Sequence, residues 1–383
     1  MKKFTLSVAL CLIAAVSAFA PSAVSVSAQV SGSYKSAYSA DFYSGTVIKA
    51  ENETRHHPIA SMCKIMTLLL CFEEEDRGEL SADEKISVSE NASGMGGSQV
   101  FLEAGAEYPA GDLIKSICIA SANDSCVAMA ERIAGSEEEF VGRMNERAKK
   151  LGMDDTVFVN CTGLPAAGQY SCAKDVAKML CELMKHEAYF GYSKIWTDKI
   201  SHPKGRETEM ANTNKMIRSY SGCDAGKTGF TDEAGFCLAA SAMRGNMRVV
   251  SVVIGADSSK TRFEKTKEAF DYAFANYSNK VILDENTPLD ERCPLTGGKK
   301  DEICVRPERS SYVFCAKGDK DEIFYEIRFE SVKAPVSERQ VVGQIVVYKN
   351  NVEADRLNLI ANESVGKLSY FDSLKSIADR WLI

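Results

Sequence analysis

The sequence is poor in the residues that usually build metal sites and nucleic-acid interfaces. It has only four histidines among 383 residues, and its 13 cysteines form no C-x-x-C pair, so we expect no zinc site. Acidic residues outnumber basic ones by 53 to 46, which gives a formal net charge of −7. Because phosphate backbones are bound by basic surfaces, this balance argues against nucleic acid as a partner.

The apolar run near the N-terminus is too short for a comfortable membrane span. It extends from Phe4 to about Phe19 and directly follows Met1-Lys2-Lys3. A charged start and a short apolar core are typical of a secretory signal. Small residues at Val26-Ser27-Ala28 suit a signal peptidase. We therefore predict a signal peptide at residues 1–28 and an exported protein whose mature chain starts near Gln29.

The cysteines do not have the distribution of a disulfide framework. An exported chain with this many cysteines would normally be expected to form disulfides. Here many of them lie inside apolar, helix-like runs, where cysteine acts as a small hydrophobic residue; these are Cys63, Cys71, Cys118, Cys126, Cys172 and Cys181. We expect most of them to be free thiols.

The order of apolar patterns predicts an α+β fold for the first part of the chain. A strand is predicted from Asp41 to Lys49 and a buried helix from Ile59 to about Glu75. Capping-box patterns predict further helix starts at Ser81 with Glu84, and at Ser136 with Glu139. A helix-rich stretch from Leu113 to Ala134 is interrupted at Ser121-Ala122-Asn123-Asp124, residues that favour caps and turns.

Strands dominate after about residue 224. Two apolar runs, Phe236–Met243 and Met247–Ala256, flank Arg244-Gly245-Asn246 and predict an antiparallel hairpin. A closing helix follows from Thr261 to Tyr277. Helices between strands at both ends predict that the first strand joins this late hairpin in one sheet.

A second, small β domain is predicted after this helix, over residues 280–363. Its short alternating strands are Ile303–Val305, Ser311–Cys315, Ile323–Phe329 and Gly343–Tyr348. The tail, residues 364–383, is predicted to be an amphipathic helix with Phe371, Leu374, Ile377, Ala378 and Trp381 on one face. Such a helix could lie on a membrane surface or pack against the protein.

A lysine in the middle of an apolar helix is the first sign of chemistry. Lys64 lies inside the apolar segment Pro58–Phe72, three residues after Ser61, so its amine can hydrogen-bond the hydroxyl on the same helix face. Apolar surroundings lower the pKa of a lysine, and a neutral amine can take the proton of an attacking serine. Free N–H groups at the helix start can also face an oxyanion.

The Ser-x-x-Lys pattern means little without its context. It occurs four times, at Ser61, Ser171, Ser201 and Ser364, but only the first lies in a long apolar helix. A lysine that reaches the surface past apolar neighbours is the alternative.

Two further motifs support the catalytic interpretation. Ser121-Ala122-Asn123 offers a second hydroxyl and an amide, although Ser-x-Asn also occurs at Ser89. Lys227-Thr228-Gly229 occurs once and provides a cation and a hydroxyl for a carboxylate. Its glycine has no Cβ, so a ligand can approach the strand edge.

In this order the three motifs are those of penicillin-binding proteins and class A β-lactamases. The chain resembles the serine-type D-alanyl-D-alanine carboxypeptidases, the low-molecular-mass penicillin-binding proteins of peptidase family S11, and is most similar to the type found in sporulating Firmicutes. The resemblance is strong over residues 35–277. It also includes Gly96-Gly97-Ser98-Gln99, Asn212-Thr213-Asn214 and the segment from Gly226 to Gly235.

The resemblance implies a fold and an activity. The fold would be a β-lactamase/transpeptidase-like domain at residues 29–279, with an antiparallel sheet, flanking helices and a helical subdomain. The activity would be removal of the terminal D-alanine from peptidoglycan stem pentapeptides, with inhibition by β-lactam antibiotics and no cofactor. The C-terminal helix would lie on the outer face of the cytoplasmic membrane.

The resemblance also implies residue roles. Ser61 would form the acyl-enzyme, Lys64 would be its general base, and Ser121 would pass the proton to the leaving D-alanine. Asn123 would hold the substrate amide. The terminal carboxylate would be bound by Lys227 and Thr228 at the Gly229 strand edge, with help from Arg262. Backbone N–H groups of Ser61 and Phe230 would form the oxyanion hole.

The sequence departs from the family pattern at a few positions and leaves two alternatives. Cys63 stands where threonine is common, and Asn160-Cys161-Thr162-Gly163-Leu164 replaces the usual Asn-Pro-His-Gly-Leu. A serine β-lactamase or esterase on the same fold is one alternative, but a class A enzyme would have aspartate at Ala122 and a deacylating glutamate loop. A catalytically silent wall-binding scaffold is the other, against which the intact motifs argue.

Overall fold

The structure is a computed structural model that describes residues 33–370. The predicted signal peptide at 1–28 lies outside the described residues, as do residues 371–383 of the predicted C-terminal helix. The elements that position the candidate site all lie within the described range.

Helices fill the middle of the chain, in agreement with the apolar periodicity. In the described residues they are α1 (Lys64–Asp76), α2 (Glu90–Ser93), α3 (Ala110–Ile119), α4 (Asn123–Ala134), α5 (Glu137–Lys150), α6 (Ala173–Leu183), α7 (Tyr189–Ser193), α8 (Met216–Ser219) and α9 (Ser259–Asn276), with 3₁₀ turns at Ala60–Cys63 and Pro203–Gly205. No helix within residues 33–370 has both the length and the apolarity that crossing a bilayer requires.

Strands occur at both ends of this helical region and throughout the last hundred residues. They are β1 (Ser36–Asp41), β2 (Val47–Glu51), β3 (Lys85–Ser87), β4 (Glu107–Pro109), β5 (Thr197–Ser201), β6 (Glu207–Ala211), β7 (Cys223–Thr231), β8 (Gly235–Arg244), β9 (Met247–Ala256), β10 (Tyr277–Leu283), β11 (Arg292–Thr296), β12 (Glu302–Pro307), β13 (Ser311–Ala316), β14 (Ile323–Phe329), β15 (Val332–Lys333), β16 (Val341–Lys349) and β17 (Val352–Ala361).

The main sheet has five antiparallel strands in the order β2-β1-β9-β8-β7. The first strand pairs with the second strand of the late hairpin, which confirms the predicted link between the two ends of the domain. Strand β9 is buried along almost its whole length, because it lies between two neighbours and is covered by α6 and α9. Strand β7 is an edge strand, so one side of its backbone is open.

Helix α1 is the inner helix that the sequence predicts. Its residues from Lys64 to Phe72 are all buried, and the helix packs against α3, α4, α5 and α6. It contains neither glycine nor proline, so nothing in its interior opposes the helical conformation. The 3₁₀ turn that carries Ser61 leads directly into it, which places the serine next to the first helical residue.

The two predicted capping boxes have different outcomes. Ser136 caps α5, and its hydroxyl accepts a hydrogen bond of 3.1 Å from the Glu139 N–H, which confirms that prediction. The helix predicted at Ser81 is wrong. The Glu84 N–H donates to the Ser81 carbonyl in a turn, and the chain then enters β3, which pairs with β4. Pairing of β3 with a distant segment decides this conformation, which local spacing does not reveal.

The strand predicted from Asp41 to Lys49 is also wrong, because the chain turns within it. β1 ends at Asp41 and β2 begins at Val47. The Asp41 carboxylate accepts hydrogen bonds from the N–H (2.7 Å) and hydroxyl (2.8 Å) of Ser44 and so stabilises the turn. The predicted hairpin and closing helix are confirmed as β8, β9 and α9, with Gly245 at a φ of +57° in the turn.

The C-terminal region forms an all-β unit with its own apolar core. Its main sheet has the order β14-β16-β17-β12-β11-β15, and β10 pairs with β13. The four predicted strands are confirmed as β12, β13, β14 and β16; the sequence did not reveal β10, β11, β15 and β17. The predicted junction between residues 279 and 280 falls inside β10, which starts directly after α9.

Residues 364–369 correct the start of the predicted C-terminal helix. Val365 pairs with Val336, and Lys367 pairs with Gly298, in isolated β-bridges. This short stretch therefore pairs with other parts of the β unit, and the predicted amphipathic helix does not begin at residue 364.

Candidate active site

Ser61 and Lys64 are in direct contact at the start of the inner helix. The Lys64 ammonium nitrogen Nζ lies 3.0 Å from Ser61 Oγ and also donates to the Thr162 carbonyl. Lys64 has no solvent exposure, and burial lowers its pKa from the ordinary value for lysine. This is the arrangement that a serine nucleophile and its general base require.

The loop Asn160–Leu164 holds both residues in place. Its Thr162 carbonyl accepts a hydrogen bond from Lys64. Its Gly163 has a φ of +81°, and a Cβ at this position would lie 2.0 Å from the Ala60 carbonyl oxygen. Only glycine allows this approach. The Asn160 side-chain oxygen accepts from the Gly163 N–H at 2.7 Å and so shapes the loop. The sequence marked this segment as a departure from the family pattern but did not reveal that it contacts the nucleophile.

A second lysine and a second serine meet in the same place. Ser121, in the turn between α3 and α4, adopts a φ of +62°. Its Oγ accepts a hydrogen bond of 2.8 Å from Lys227 Nζ on β7. Lys227 is buried, and burial together with the nearby Lys64 charge lowers its pKa to about 7. A positive φ is strained for serine, so the surrounding structure must hold Ser121 in this position.

Thr228 follows Lys227 on β7, and Asn123 follows Ser121 by two residues at the start of α4. Thr228 Oγ1 donates to Thr213 Oγ1 at 2.8 Å, which brings in a residue that the sequence assigned no role. Asn123 Nδ2 donates to the Gly96 carbonyl at 2.6 Å, while its buried Oδ1 has no hydrogen-bond partner in the protein. An unpaired buried carbonyl is costly, so this oxygen is suited to accept from the N–H of a ligand.

Strand β7 lies directly against the turn that carries the nucleophile. A Cβ added to Gly229 would lie 2.6 Å from the Ile59 carbonyl oxygen and 3.2 Å from the Ser61 nitrogen. A side chain at Gly229 would therefore separate the strand from the serine. Phe230 follows, half exposed, and its ring stacks on Phe236 with centroids 4.3 Å apart.

Arg262 contacts the backbones of β7 and β8. Its Nη1 donates to the carbonyl oxygens of Gly229 (3.0 Å) and Cys237 (3.2 Å), and its Nη2 donates to Ser259 Oγ (3.3 Å). The residue is buried, and burial lowers its pKa. The structure brings Ser61, Lys64, Ser121 and Lys227 together with the Gly229 segment of β7, and the Arg262 guanidinium contacts the Gly229 carbonyl.

Several buried thiols surround the lysines. In the described part of the chain, all twelve cysteines are free. Burial raises the pKa of Cys63, which follows the nucleophile by two residues, and raises the pKa of Cys126 to about 12. Thiols with raised pKa values are poor nucleophiles, because the thiolate is the reactive form. Ser61 is therefore the nucleophile that the geometry favours.

One cluster in the described residues has metal-ligating side chains, away from Ser61. It consists of Asp155, Cys172 and Asp175. The Asp175 carboxylate already accepts hydrogen bonds from Thr156 and the Asp155 N–H and forms an ion pair with Lys178. These contacts explain the cluster as a structural network.

Comparison with known proteins gives two family matches that together span most of the chain. The family model of D-alanyl-D-alanine carboxypeptidase matches residues 22–258. The family model of the penicillin-binding protein 5 C-terminal domain matches residues 277–367.

Individual relatives and solved structures belong to the same family as these two matches. D-alanyl-D-alanine carboxypeptidase DacF from Bacillus subtilis is 36% identical over 369 residues, which cover 96% of this chain and 95% of the relative. DacD from Escherichia coli is 31% identical over 343 residues, 87% of each chain. The structure of penicillin binding protein 5 from Haemophilus influenzae has a TM-score of 0.69 at 25% identity and covers 88% of this chain and 99% of its own. Penicillin-binding protein D2 from Listeria monocytogenes, in an ampicillin-bound form, is 31% identical with a TM-score of 0.57, covering 64% of this chain and 99% of its own.

Proposed function

The chain belongs to the D-alanyl-D-alanine carboxypeptidase family of serine hydrolases that act in cell-wall synthesis, and from this premise we propose which of its residues carry out the reaction. The enzyme removes the terminal D-alanine from peptidoglycan stem peptides through an acyl-enzyme. The proposal assigns Ser61 as the nucleophile and Lys64 as its general base. The observation that carries it is the 3.0 Å contact between Ser61 Oγ, which is partly exposed, and Nζ of the fully buried Lys64.

Acylation would proceed as follows. Ser61 Oγ attacks the carbonyl carbon of the penultimate D-alanine while Lys64 takes the hydroxyl proton. The carbonyl oxygen becomes an oxyanion, for which the N–H groups of Ser61 and Phe230 are the donors. When the amide bond breaks, Ser121 would give its proton to the leaving amine of D-alanine and take up the proton held by Lys64, so that both residues return to their starting protonation states. The Lys227 contact with Ser121 Oγ supports this relay. Water then hydrolyses the ester, and Ser61 is regenerated.

Substrate recognition would use groups on both sides of Ser61. Lys227 and Thr228 would bind the terminal carboxylate, with Thr213 orienting the Thr228 hydroxyl. The unpaired Oδ1 of Asn123 would accept from the N–H of the substrate peptide. β-Lactams carry a carboxylate and an amide in a similar arrangement, and a relative has been crystallised with ampicillin. We therefore expect β-lactams to acylate Ser61.

Intact-mass measurement after exposure to a penicillin tests the nucleophile. We expect one adduct, located on the peptide that contains Ser61, and no adduct in Ser61→Ala. Ser201→Ala is the matched control, because this serine also begins a Ser-x-x-Lys pattern but is exposed on β5. An adduct that persists in Ser61→Ala would show that another residue is the nucleophile, and a chain that never reacts would favour a silent wall-binding scaffold; either result would reject the assignment.

Parallel assays separate the carboxypeptidase from a β-lactamase on the same fold. D-alanine release from diacetyl-Lys-D-Ala-D-Ala would be measured beside hydrolysis of nitrocefin. We expect release of D-alanine and slow turnover of the drug. Fast nitrocefin hydrolysis without D-alanine release would contradict the proposal.

We also propose that the protein is exported, and that its C-terminal segment attaches it to the outer face of the cytoplasmic membrane. The charged start and apolar run at residues 1–28 and the apolar positions of the tail support this. The catalytic domain would then start at residue 29 and end with α9, and the β domain would start with β10. Co-sedimentation with anionic lipid vesicles tests the attachment. We expect the chain to bind when it extends to Ile383 and to stay in solution when it ends at Leu368; equal partitioning would contradict it.

A further inference from the structure

Arg262 occupies an unusual position for a side chain expected to help bind a carboxylate. Its Nη1 contacts two backbone carbonyls at once, Gly229 O at 3.0 Å and Cys237 O at 3.2 Å. Its guanidinium carbon lies 5.4 Å from the ring centroid of Phe236 and 5.0 Å from that of Phe263. Only 8% of the residue is exposed. Ser259 Oγ accepts from Nη2, so both terminal nitrogens of the guanidinium already have partners inside the protein.

The two carbonyls reveal how one peptide group is oriented. Gly229 on β7 and Cys237 on β8 are directly paired across the sheet. Because one nitrogen of Arg262 reaches both oxygens, the Gly229 carbonyl must point toward β8. The same peptide plane carries the Phe230 N–H, and in a trans peptide the C=O and N–H point in opposite directions. The Phe230 N–H therefore points away from β8, to the open edge of β7.

The turn that carries Ser61 packs against β7 at Gly229. The Ser61 nitrogen is 3.2 Å from the position that a Cβ on Gly229 would occupy. Ser61 and the Gly229–Phe230 peptide are therefore neighbours, as a shared oxyanion hole would require. A cation that donates to the carbonyl end of a peptide also polarises that peptide, and its N–H becomes a stronger donor.

We propose that Arg262 is a positioning residue which orients and polarises the Gly229–Phe230 peptide as an oxyanion donor, rather than a ligand of the substrate carboxylate. The inference rests on the proposed assignment of the Phe230 N–H to the oxyanion hole. It requires no movement of the arginine, and it is consistent with the protein partners of both terminal nitrogens of the guanidinium.

Two substrates separate this role from carboxylate binding. One is diacetyl-Lys-D-Ala-D-Ala, and the other is the corresponding acyl-D-alanine methyl ester, which passes through the same oxyanion but has no terminal carboxylate. Arg262→Met should lower kcat by about tenfold to a hundredfold for both substrates. Complete loss of an oxyanion donor lowers kcat by about 10²–10³, and this substitution only weakens a donor, so the effect should be smaller. Arg262→Lys keeps the charge and one donor and should recover part of the loss for both.

Thr228→Val is the matched control, because Thr228 is a predicted carboxylate donor that lies next to the Gly229–Phe230 peptide without contributing to it. It should lower kcat/KM for the acid substrate far more than for the ester. A loss in the Arg262 variants that is confined to the acid substrate would overturn the proposal.

The infrared stretch of the acyl-enzyme carbonyl gives a readout that does not depend on how much of a variant folds. With a penicillin labelled with ¹³C at the β-lactam carbonyl, Arg262→Met should shift the ester band to higher frequency than in the wild type, and Arg262→Lys should lie between them. An unchanged frequency in Arg262→Met would overturn the polarising role. If the wild type forms no acyl band at all, the proposed function fails instead, so the two failures are distinguishable.

Discussion

Lys227 Nζ donates a 2.8 Å hydrogen bond to Ser121 Oγ across 106 positions of sequence, and the charge of Lys64 is close enough to lower the pKa of Lys227. Two buried lysines therefore share one small region. Both cannot be charged without a large electrostatic cost, so their environments separate their tasks. Lys64 is suited to be a neutral base, and Lys227 to carry the charge that meets a carboxylate.

The first prediction concerns the pH dependence of activity. The pKa of Lys227 is lowered to about 7, so the lysine is charged below that pH and neutral above it. We expect kcat/KM for a D-Ala-D-Ala substrate to fall along an alkaline limb near this value, because kcat/KM reports groups of the free enzyme. In the pH profile of kcat, the same decline should occur at higher pH, because the bound substrate carboxylate favours the charged form of Lys227.

A substrate without a carboxylate is the control for this limb. The methyl ester should lack it, and Lys227→Arg should move it to higher pH for the acid substrate, because arginine stays charged. An identical limb with both substrates would contradict the assignment.

The second prediction is that Lys227 lowers stability. Its pKa is about 7 in the folded protein against an ordinary 10.5, so the unfolded chain binds more protons between these values. Folding stability therefore rises with pH across this window, and the full penalty is present below about pH 7. Lys227→Met should raise the free energy of unfolding by about 2–4 kcal/mol at neutral pH while D-alanine release is lost.

Urea unfolding of both proteins from acid to alkaline pH measures this difference. The gain should shrink as the pH approaches the ordinary value for lysine. A difference that stays constant with pH would indicate altered packing rather than removal of a buried titrating group.

The third prediction tests the loop behind the nucleophile. Gly163→Ala should slow acylation strongly and destabilise the protein, because its Cβ would lie 2.0 Å from the Ala60 carbonyl oxygen. Gly168→Ala is a close match: its φ of +85° is almost the same as the +81° of Gly163, but nothing lies within 4 Å of its Cβ. It should cost only about 1 kcal/mol and leave the acylation rate unchanged. Penicillin labelling rates and thermal unfolding would be measured for both variants. Equal effects of the two substitutions would reject the role of the close contact between Gly163 and Ala60.

The fourth prediction concerns the contact between the catalytic and β regions. Asn279 Nδ2 donates a 2.7 Å hydrogen bond to the buried Asp41 carboxylate, and Tyr43 stacks on Tyr312 at 4.1 Å. Asn279→Ala would remove one partner of a buried carboxylate, so we expect a loss of about 1–3 kcal/mol in stability with kcat unchanged. The exposed Asn286→Ala should have little effect on either. A fall in kcat for Asn279→Ala would instead show that this contact influences the active site.

Local patterns alone were sufficient where the interactions are local. Ser61 and Lys64 meet because residues three apart share a helix face. Ser136 caps α5 by accepting a hydrogen bond from the N–H of Glu139, three residues later. The hairpin of β8 and β9 follows from its turn residues and apolar runs. The three motifs, and the reaction class that they indicate, could be predicted from the sequence without a structure.

Local patterns failed where a contact outside the simple periodicity determines the conformation. The Ser81 box formed a turn because β3 pairs with β4, and the run from Asp41 turned because the aspartate bonds Ser44. Both sequences are compatible with the predicted elements; pairing with a distant segment decided the first, and a side-chain contact three residues away decided the second.

The sequence by itself determined which side chains this protein has for its chemistry, and the helical spacing of the first two. Only the tertiary structure decided that the Thr162 carbonyl binds Lys64, that Gly163 packs on Ala60, and that Arg262 holds the Gly229 carbonyl. The physical reason is that these partners are backbone groups. Every residue has a carbonyl, so no residue type marks the one that will be used, and only the folded path of the chain selects it.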